Sequence, residues 1–170
     1  MSLQYFKQHI FPVKDKLYRF AYRLLGNAMD AEDVVQEVFL KIWKKQEEWA
    51  SIENMEAWCM TMAKNMSIDK LRNAKRFSGE SIDLAGDKTA DYTNPHDNAA
   101  YADLSVLLRK AIDNLPEKHK MTIHLRDIEG LSYQEIADIM QIPLNQVKIN
   151  LFRARNLIKE TMLKSEAYGL

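Results

Sequence analysis

Residues 78–100 divide this chain. They hold 1 basic and 5 acidic residues, carry Gly79, Gly86 and Pro95, and sustain no periodicity. On both sides of them apolar residues recur at helical spacing. A stretch with Gly, Pro, Ser and Asp but no apolar face reads as a linker, not a core element. The chain is therefore expected to fold as two small helical domains, over 1–77 and 101–170, joined by an acidic linker over 78–100. Fully extended, the 23 residues of that linker reach roughly 75–80 Å.

Composition narrows the class. Of 170 residues, 46% are hydrophobic and 28% charged, and only 5 are Gly and 4 Pro. That excludes collagen-like and low-complexity chains. No run of 18 apolar residues exists, so no membrane span or direct membrane insertion is expected. Met1-Ser2-Leu3-Gln4-Tyr5 lacks the basic flank and apolar stretch of a signal peptide. Cys59 has no second cysteine to pair with. A reducing, cytoplasmic setting is expected. The net charge is zero, yet unevenly spread: 1–77 holds 13 basic and 10 acidic residues, net +3, and 101–170 holds 10 and 9, net +1.

The fold class expected is all-α. In the first block Val13, Leu17, Phe20, Ala21 and Leu24 share a helical face, with Gly26 at the stop. Phe6 and Ile10 suit a short preceding helix ahead of Pro12. Asp30 is placed as the cap of the next helix, with Val34, Val35, Val38, Phe39 and Ile42 as its core stripe. A turn follows near Gln46–Glu53, and Asn54 is placed as the cap of a long helix reaching Arg76. In the second block one stripe is Leu104, Leu107, Leu108, Ala111 and Ile112, ended by Leu115-Pro116. The next is Met121, Ile123, Leu125 and Ile128, ended by Gly130. Ser132-Tyr133-Gln134-Glu135 fits a capping box. Gln141-Ile142-Pro143 makes a turn, and a final helix from about Leu144 to Leu163 buries Val147, Leu151, Ala154 and Ile158.

A short capped helix, a tight turn and a basic helix read as a helix-turn-helix. Gln146, Lys148 and Asn150 carry groups able to read base edges, and Arg153 and Arg155 suit phosphates. An ordinary helical hairpin with a solvated basic face has the same pattern. On the earlier long helix, Asn65, Asp69, Arg72 and Arg76 recur at offsets 0, 4, 7 and 11, on one face. Lys64 and Lys75 flank it. With Trp49 in the preceding loop, this face suits unpaired bases and their phosphates. Trp58 reads as core with Met55, Met62 and Met66. Gln36, Glu37, Leu40, Lys41 and Lys44 form an outward strip on the acidic-start helix, either a protein-binding face or simply a solvated one.

No catalytic or metal constellation emerges. Asp33 and Glu37 share a helix face without a nearby histidine. His119 and His124 are five apart and lack cysteine partners. No phosphate-binding Gly loop or nucleophile elbow is present. An enzyme, or a bound cofactor, is not expected. An autonomous helix-turn-helix regulator and a helical interaction module remain compatible with these patterns.

Taken together, the motifs resemble those of an extracytoplasmic-function (ECF) sigma factor of the sigma-70 family. Asp30-Ala31-Glu32-Asp33-Val34-Val35-Gln36-Glu37-Val38-Phe39 is similar to the helix with which such factors hold core RNA polymerase. Trp58 through Arg72, including Ala63-Lys64-Asn65 and Ile68-Asp69-Lys70-Leu71-Arg72, resembles their −10 reading helix. Leu115-Pro116-Glu117, Gly130 through Ala137, Val147-Lys148 and Phe152-Arg153-Ala154-Arg155 resemble their −35 reading domain.

The resemblance implies polymerase contacts at Asp33, Gln36, Glu37 and Lys41, with Leu40 on the same strip. It implies that Trp49 and the loop to Asn54 border a pocket for a flipped −10 base, and that Asn65, Asp69 and Arg72 lie beside that strand. Lys148, Ile149, Phe152 and Arg153 would meet the −35 major groove. Where the family commonly has Gly-Thr and Ser-Arg around Val147-Lys148, this chain has Asn145-Gln146 and Ile149-Asn150, so its −35 sequence does not carry over. The implied partners are core RNA polymerase, promoter DNA and an anti-sigma factor, often membrane-anchored, with the free chain a monomer. Tethering to polymerase also accounts for a neutral chain acting on DNA, because both basic faces then work at high effective concentration.

Overall fold

The computed structural model describes residues 2–78 and 99–167, and every described element is helical. The chain enters through α1 (Ser2–Tyr5), a π-helical turn (Phe6–Ile10) and a 3-10 turn (Phe11–Val13). Pro12 sits in that last turn, where a missing N–H costs nothing. Then come α2 (Lys14–Leu25), α3 (Ala28–Lys44), a 3-10 turn (Gln46–Ser51) and α4 (Met55–Ser78). Helices α5 (Ala99–Asp113), α6 (Glu117–Ile123), a π turn (His124–Ile128), α7 (Tyr133–Met140) and α8 (Leu144–Ala167) follow. Both ends of the expected linker are helical, at Ser78 and at Ala99–Ala100; the rest of it lies outside the described residues.

In the first unit α2 packs on α3 and α4. Its seam is the apolar stripe of each helix: Leu17, Phe20, Ala21 and Leu24 from α2, Ala31, Val34, Val38 and Ile42 from α3, Met60 and Ala63 from α4. Gly26, at φ +62°, closes α2 in the left-handed conformation that glycine takes without strain, and its N–H donates to Tyr22. The cap of α3 is Asn27, not Asp30. The Asn27 Oδ1 accepts from Met29 N at 2.9 Å and Asp30 N at 3.2 Å, so the helix starts two residues earlier than Asp30 and Asp30 becomes a first-turn acid. Asn54 does cap α4: its Oδ1 accepts from Ala57 N at 3.0 Å.

In the second unit α8 packs on α5, α6 and α7. Val147, Leu151 and Ala154 are buried as expected, and Ile158 is half-buried. The stripe assigned to α5 is narrower than expected. Ala111 and Ile112 are buried, but Leu104 is 51% and Leu108 42% exposed. Ile128 also lies on the surface, because the chain leaves the α6 axis through a π turn. The two units touch: α2 meets α6 and α4 meets α7. Among the described residues no helix is long and apolar enough to cross a membrane.

Candidate polymerase- and promoter-binding surfaces

Three surfaces carry the expected functional side chains. The first is the outer face of α3. Asp33, Gln36, Glu37, Leu40 and Lys41 are all exposed there, with Leu40 at 59%. Asp33 Oδ2 lies 3.9 Å from Lys70 Nζ, which ties the face loosely to α4. Gln36, Phe39, Leu40 and Trp43 line a shallow groove whose far wall is Phe6. Phe6 meets Phe39 edge-on at 5.3 Å and Trp43 at 5.7 Å. An apolar groove with acids along its rim suits a docking helix from a protein partner. Sequence reasoning missed Phe6 and Trp43 here. Trp43 extends the offsets Gln36, Leu40, Trp43 by one more turn, a signal that was available. Phe6 was not, because it arrives from a separate element.

The second surface is the outer face of α4. Asn65, Asp69, Arg72 and Arg76 are exposed together, one basic, amide-bearing strip along the helix. Trp58 is half-buried and packs on the core, as read from its pattern. Two expectations fail here. Trp49 is 7% exposed, not a surface base platform. It stacks on Tyr5 at 5.3 Å, meets Trp43 at 6.1 Å, and donates its indole N–H to the Ile42 carbonyl at 3.0 Å. An indole stacked on one ring, met edge-on by another and with its donor satisfied is core. Lys64 is also buried, at 6% exposure. Removal from water lowers its pKa, and its ammonium is not presented to a phosphate.

The third surface is the helix-turn-helix. Ser132 Oγ accepts from Glu135 N, and Glu135 Oε1 accepts from Ser132 N, both at 3.1 Å, completing the expected capping box. Gln141 takes φ +55° in the turn, and its backbone N–H donates to Ala137. This sets α8 running out of Pro143. Lys148, Ile149, Phe152 and Arg153 are exposed in one patch, with Phe152 at 68% and Ile149 at 40%. Asn150 is corrected. It is 3% exposed and accepts from Gln146 Nε2 at 2.8 Å. The pair satisfies itself inside the helix, so Asn150 supports Gln146 and does not reach a base. Arg155 is exposed but held by Asp127, through Nη2 at 2.7 Å and Nε at 3.2 Å.

The surfaces are built on matching families. Residues 12–77 match the model of Sigma-70 region 2, and residues 105–158 that of Sigma-70, region 4. The chain is 31% identical to the ECF RNA polymerase sigma factor SigW of Bacillus subtilis over 157 residues, covering 88% of this chain and 84% of that one. It is 33% identical to ECF sigma factor SigE of Mycolicibacterium smegmatis over 155 residues, covering 88% of this chain and 58% of that one. Among solved structures it resembles the sigma factor RpoE of Bartonella quintana, crystallised with the anti-sigma factor NepR. The TM-score is 0.76 at 28% identity, covering 92% of this chain and 96% of that one. CnrH, solved with the cytosolic domain of CnrY, shares the fold at a TM-score of 0.67 and 19% identity. With region 2 and region 4 in this order, and a relative above 30% identity along most of its length, the chain belongs to the ECF family of RNA polymerase sigma factors.

Proposed function

We propose that this chain docks on core RNA polymerase through the α3 face, reads the −35 element as duplex through α8, and holds the melted −10 strand along α4. Residues 1–77 serve as the polymerase and −10 domain, 78–100 as the linker, and 101–170 as the −35 domain. The observation that carries this reading is the patch on α8. Lys148 and Arg153 offer charge, while Ile149 and Phe152 offer apolar contact to thymine methyls, on a helix aimed outward by a capped partner. Within α4, Asn65, Arg72 and Arg76 supply the cations and amides that a single strand needs.

The α3 groove gives the chain its hold on polymerase, with Leu40 and Trp43 as apolar anchors and Asp33 and Glu37 on the rim. Regulation follows from the same surfaces: an anti-sigma factor that covers the α3 groove or the α8 patch blocks loading. The chain acts in the cytoplasm, beside polymerase.

The test is transcription by core RNA polymerase on genomic DNA of the source organism, with and without this chain, mapping new 5′ ends. New starts sharing paired upstream elements are expected. Binding to polymerase without new starts, or no binding at all, would overturn the reading.

A further inference from the structure

The outward side of α8 carries a third cation beside Lys148 and Arg153. Lys148, Phe152 and Arg155 stand at offsets 0, 4 and 7, so they share one face of the helix. All three are exposed. By position alone Arg155 is a phosphate ligand in line with the −35 patch.

Its hydrogen bonds run the other way. Arg155 Nη2 donates to Asp127 Oδ1 at 2.7 Å, and Nε donates to Asp127 Oδ2 at 3.2 Å. One whole edge of the guanidinium and both carboxylate oxygens are used, which separates an ordered pair from the ordinary surface ion pair. Of Lys148, Arg153 and Arg155, only Arg155 has a carboxylate partner among the described residues. The hydrogen bond to Asp127, against the opposing cost of burial, raises the Arg155 pKa, with a weaker contribution from Tyr133 at the start of α7.

Asp127 is held in place by its own turn. It belongs to the π turn His124–Ile128, which is closed from the far side. Gly130, at φ +72°, donates its N–H to the Arg126 carbonyl at 3.1 Å, and Leu131 N donates to the Leu125 carbonyl at 3.0 Å. The Arg126 side chain folds back over the same turn. Its Nη1 donates to the Leu131 carbonyl at 2.8 Å, and its guanidinium lies 4.7 Å from the centre of the Tyr133 ring. The carboxylate therefore meets Arg155 from a fixed support.

Electrostatics then gives the consequence. The backbone share of DNA affinity grows with the number of phosphates neutralised, through counterion release. A phosphate that approaches the remaining N–H groups of Arg155 also approaches Asp127, whose side chain is 42% exposed. The pair offers that phosphate no net charge.

We propose that Asp127 withholds Arg155 from the promoter phosphates, so that α8 grips the −35 backbone through Lys148 and Arg153 and binds less tightly than its cations allow. Asp127 is thus a positioning residue that acts through Arg155 and touches no DNA itself. This inference rests on the transcription reading above.

Four variants of the full chain test it, each loaded on core polymerase: Asp127→Asn, Asp127→Glu, Arg155→Gln, and Asp127→Asn combined with Arg155→Gln. Circular dichroism checks that the helices persist. Binding to a promoter mapped as above is titrated at several salt concentrations. Asp127→Asn is expected to bind about fivefold more tightly at about 0.15 M salt, with a salt slope steeper by about 1. Asp127→Glu keeps the carboxylate and should stay near native. Arg155→Gln should cost about fivefold in the Asp127→Asn background and little in the native one. Neither a purely structural role nor a long-range charge effect gives that non-additivity.

Weaker binding by Asp127→Asn would mean that the carboxylate aims Arg155 at a phosphate, and would overturn the proposal. Equal effects of Arg155→Gln in both backgrounds would overturn it too. Either result leaves the transcription reading standing. A native complex that retains no promoter overturns that reading and the proposal with it. The Arg155 Nε–H resonance in nuclear magnetic resonance of the free chain judges the ion pair independently. It should be protected from exchange in the native chain and lose that protection in Asp127→Asn; equal exchange in the two removes the pair and the proposal built on it.

Discussion

Asn54 and Glu135 bond side chain to side chain at 3.0 Å across 81 residues, and each also caps a helix. Glu135 gives one oxygen to Ser132 N and the other to Asn54. One carboxylate therefore both starts the helix-turn-helix and joins it to α4. Its pKa is lowered, first by the Ser132 backbone hydrogen bond and then, against the opposing cost of burial, by Asn54. Glu135→Ala is expected to cost about 1–2 kcal/mol of stability, while Glu135→Gln keeps most of it. Urea denaturation of the two variants measures this, and equal midpoints for native and Glu135→Ala would refute the double role.

The contact of Arg19 and Arg23 with Glu129, His124 and Asp113 has a pH signature with two windows. Burial, and then the Arg23 and Arg19 charges, hold His124 below its ordinary pKa, against the smaller opposing pull of Glu129. A depressed histidine contributes stability that is fully present above about pH 6.5 and is lost as pH falls toward its folded value. Burial would raise the Glu129 pKa, but Arg19 and His124 outweigh it and bring it to about 2. Its share is present above about pH 4.5 and is lost between there and about pH 2. The charged groups facing His124 are Arg19 and Arg23 of α2 and Glu129 beyond the π turn; Asp113 of α5 joins through Arg23. Native protein should therefore lose stability between pH 7.5 and 5.5, and His124→Gln should flatten that first loss. Denaturation midpoints at both pH values decide it; equal slopes for the two proteins would remove His124 as the cause.

Local signals were readable in the sequence and long-range ones were not. The Ser132–Glu135 box, the Asn54 cap and the stop at Gly26 each depend on residues within four positions of one another, and all three form as read. The buried stripes of α3 and α8 follow from periodicity alone. Trp49 misleads because its burial depends on Tyr5, 44 positions away, folding back over it. Asn150 misleads because helical position alone does not reveal that Gln146 has already taken its oxygen. Nothing periodic links Arg19 to Glu129, 110 residues on. That pairing exists only once two independent helical faces meet.

The α3 groove should be a hot spot for polymerase. Leu40 is exposed, so Leu40→Glu leaves the core of α3 intact. Truncating or charging an apolar anchor costs about 2 kcal/mol or more, roughly thirtyfold in affinity. A binding titration against core polymerase should show that loss, with native helical content and thermal midpoint. Full affinity in Leu40→Glu would move the docking site off this groove.

On α8 the patch and its support should separate cleanly. Arg153→Ala should weaken binding of the polymerase complex to all promoters and reduce the salt slope by about 1. Ile149→Ala should relax discrimination at one base position instead. Asn150→Ala should leave base preference alone and lower stability, since it strands the Gln146 amide it now satisfies. Selection from a randomised −35 library, run at two salt concentrations, reads all three effects. A changed base preference in Asn150→Ala would restore that residue to the readout.

Trp49 offers the sharpest separation of a core role from a nucleic-acid role. Its ring fills the space between Tyr5, Phe6 and Trp43, and its N–H satisfies a carbonyl of α3. Trp49→Ala leaves a cavity and removes one of the two hydrogen bonds that the Ile42 carbonyl accepts, the other coming from Lys45 N at 3.0 Å, so a loss of about 3–5 kcal/mol is expected. Trp49→Phe keeps most of the volume and loses only the hydrogen bond, a cost nearer 1–2 kcal/mol. If Trp49 were a base platform, Trp49→Phe would instead be stable and would weaken capture of the melted strand. Thermal denaturation set beside binding of a single-stranded −10 oligonucleotide to the polymerase complex distinguishes the two. Reduced stability with unchanged strand capture in Trp49→Phe is the outcome the packing requires.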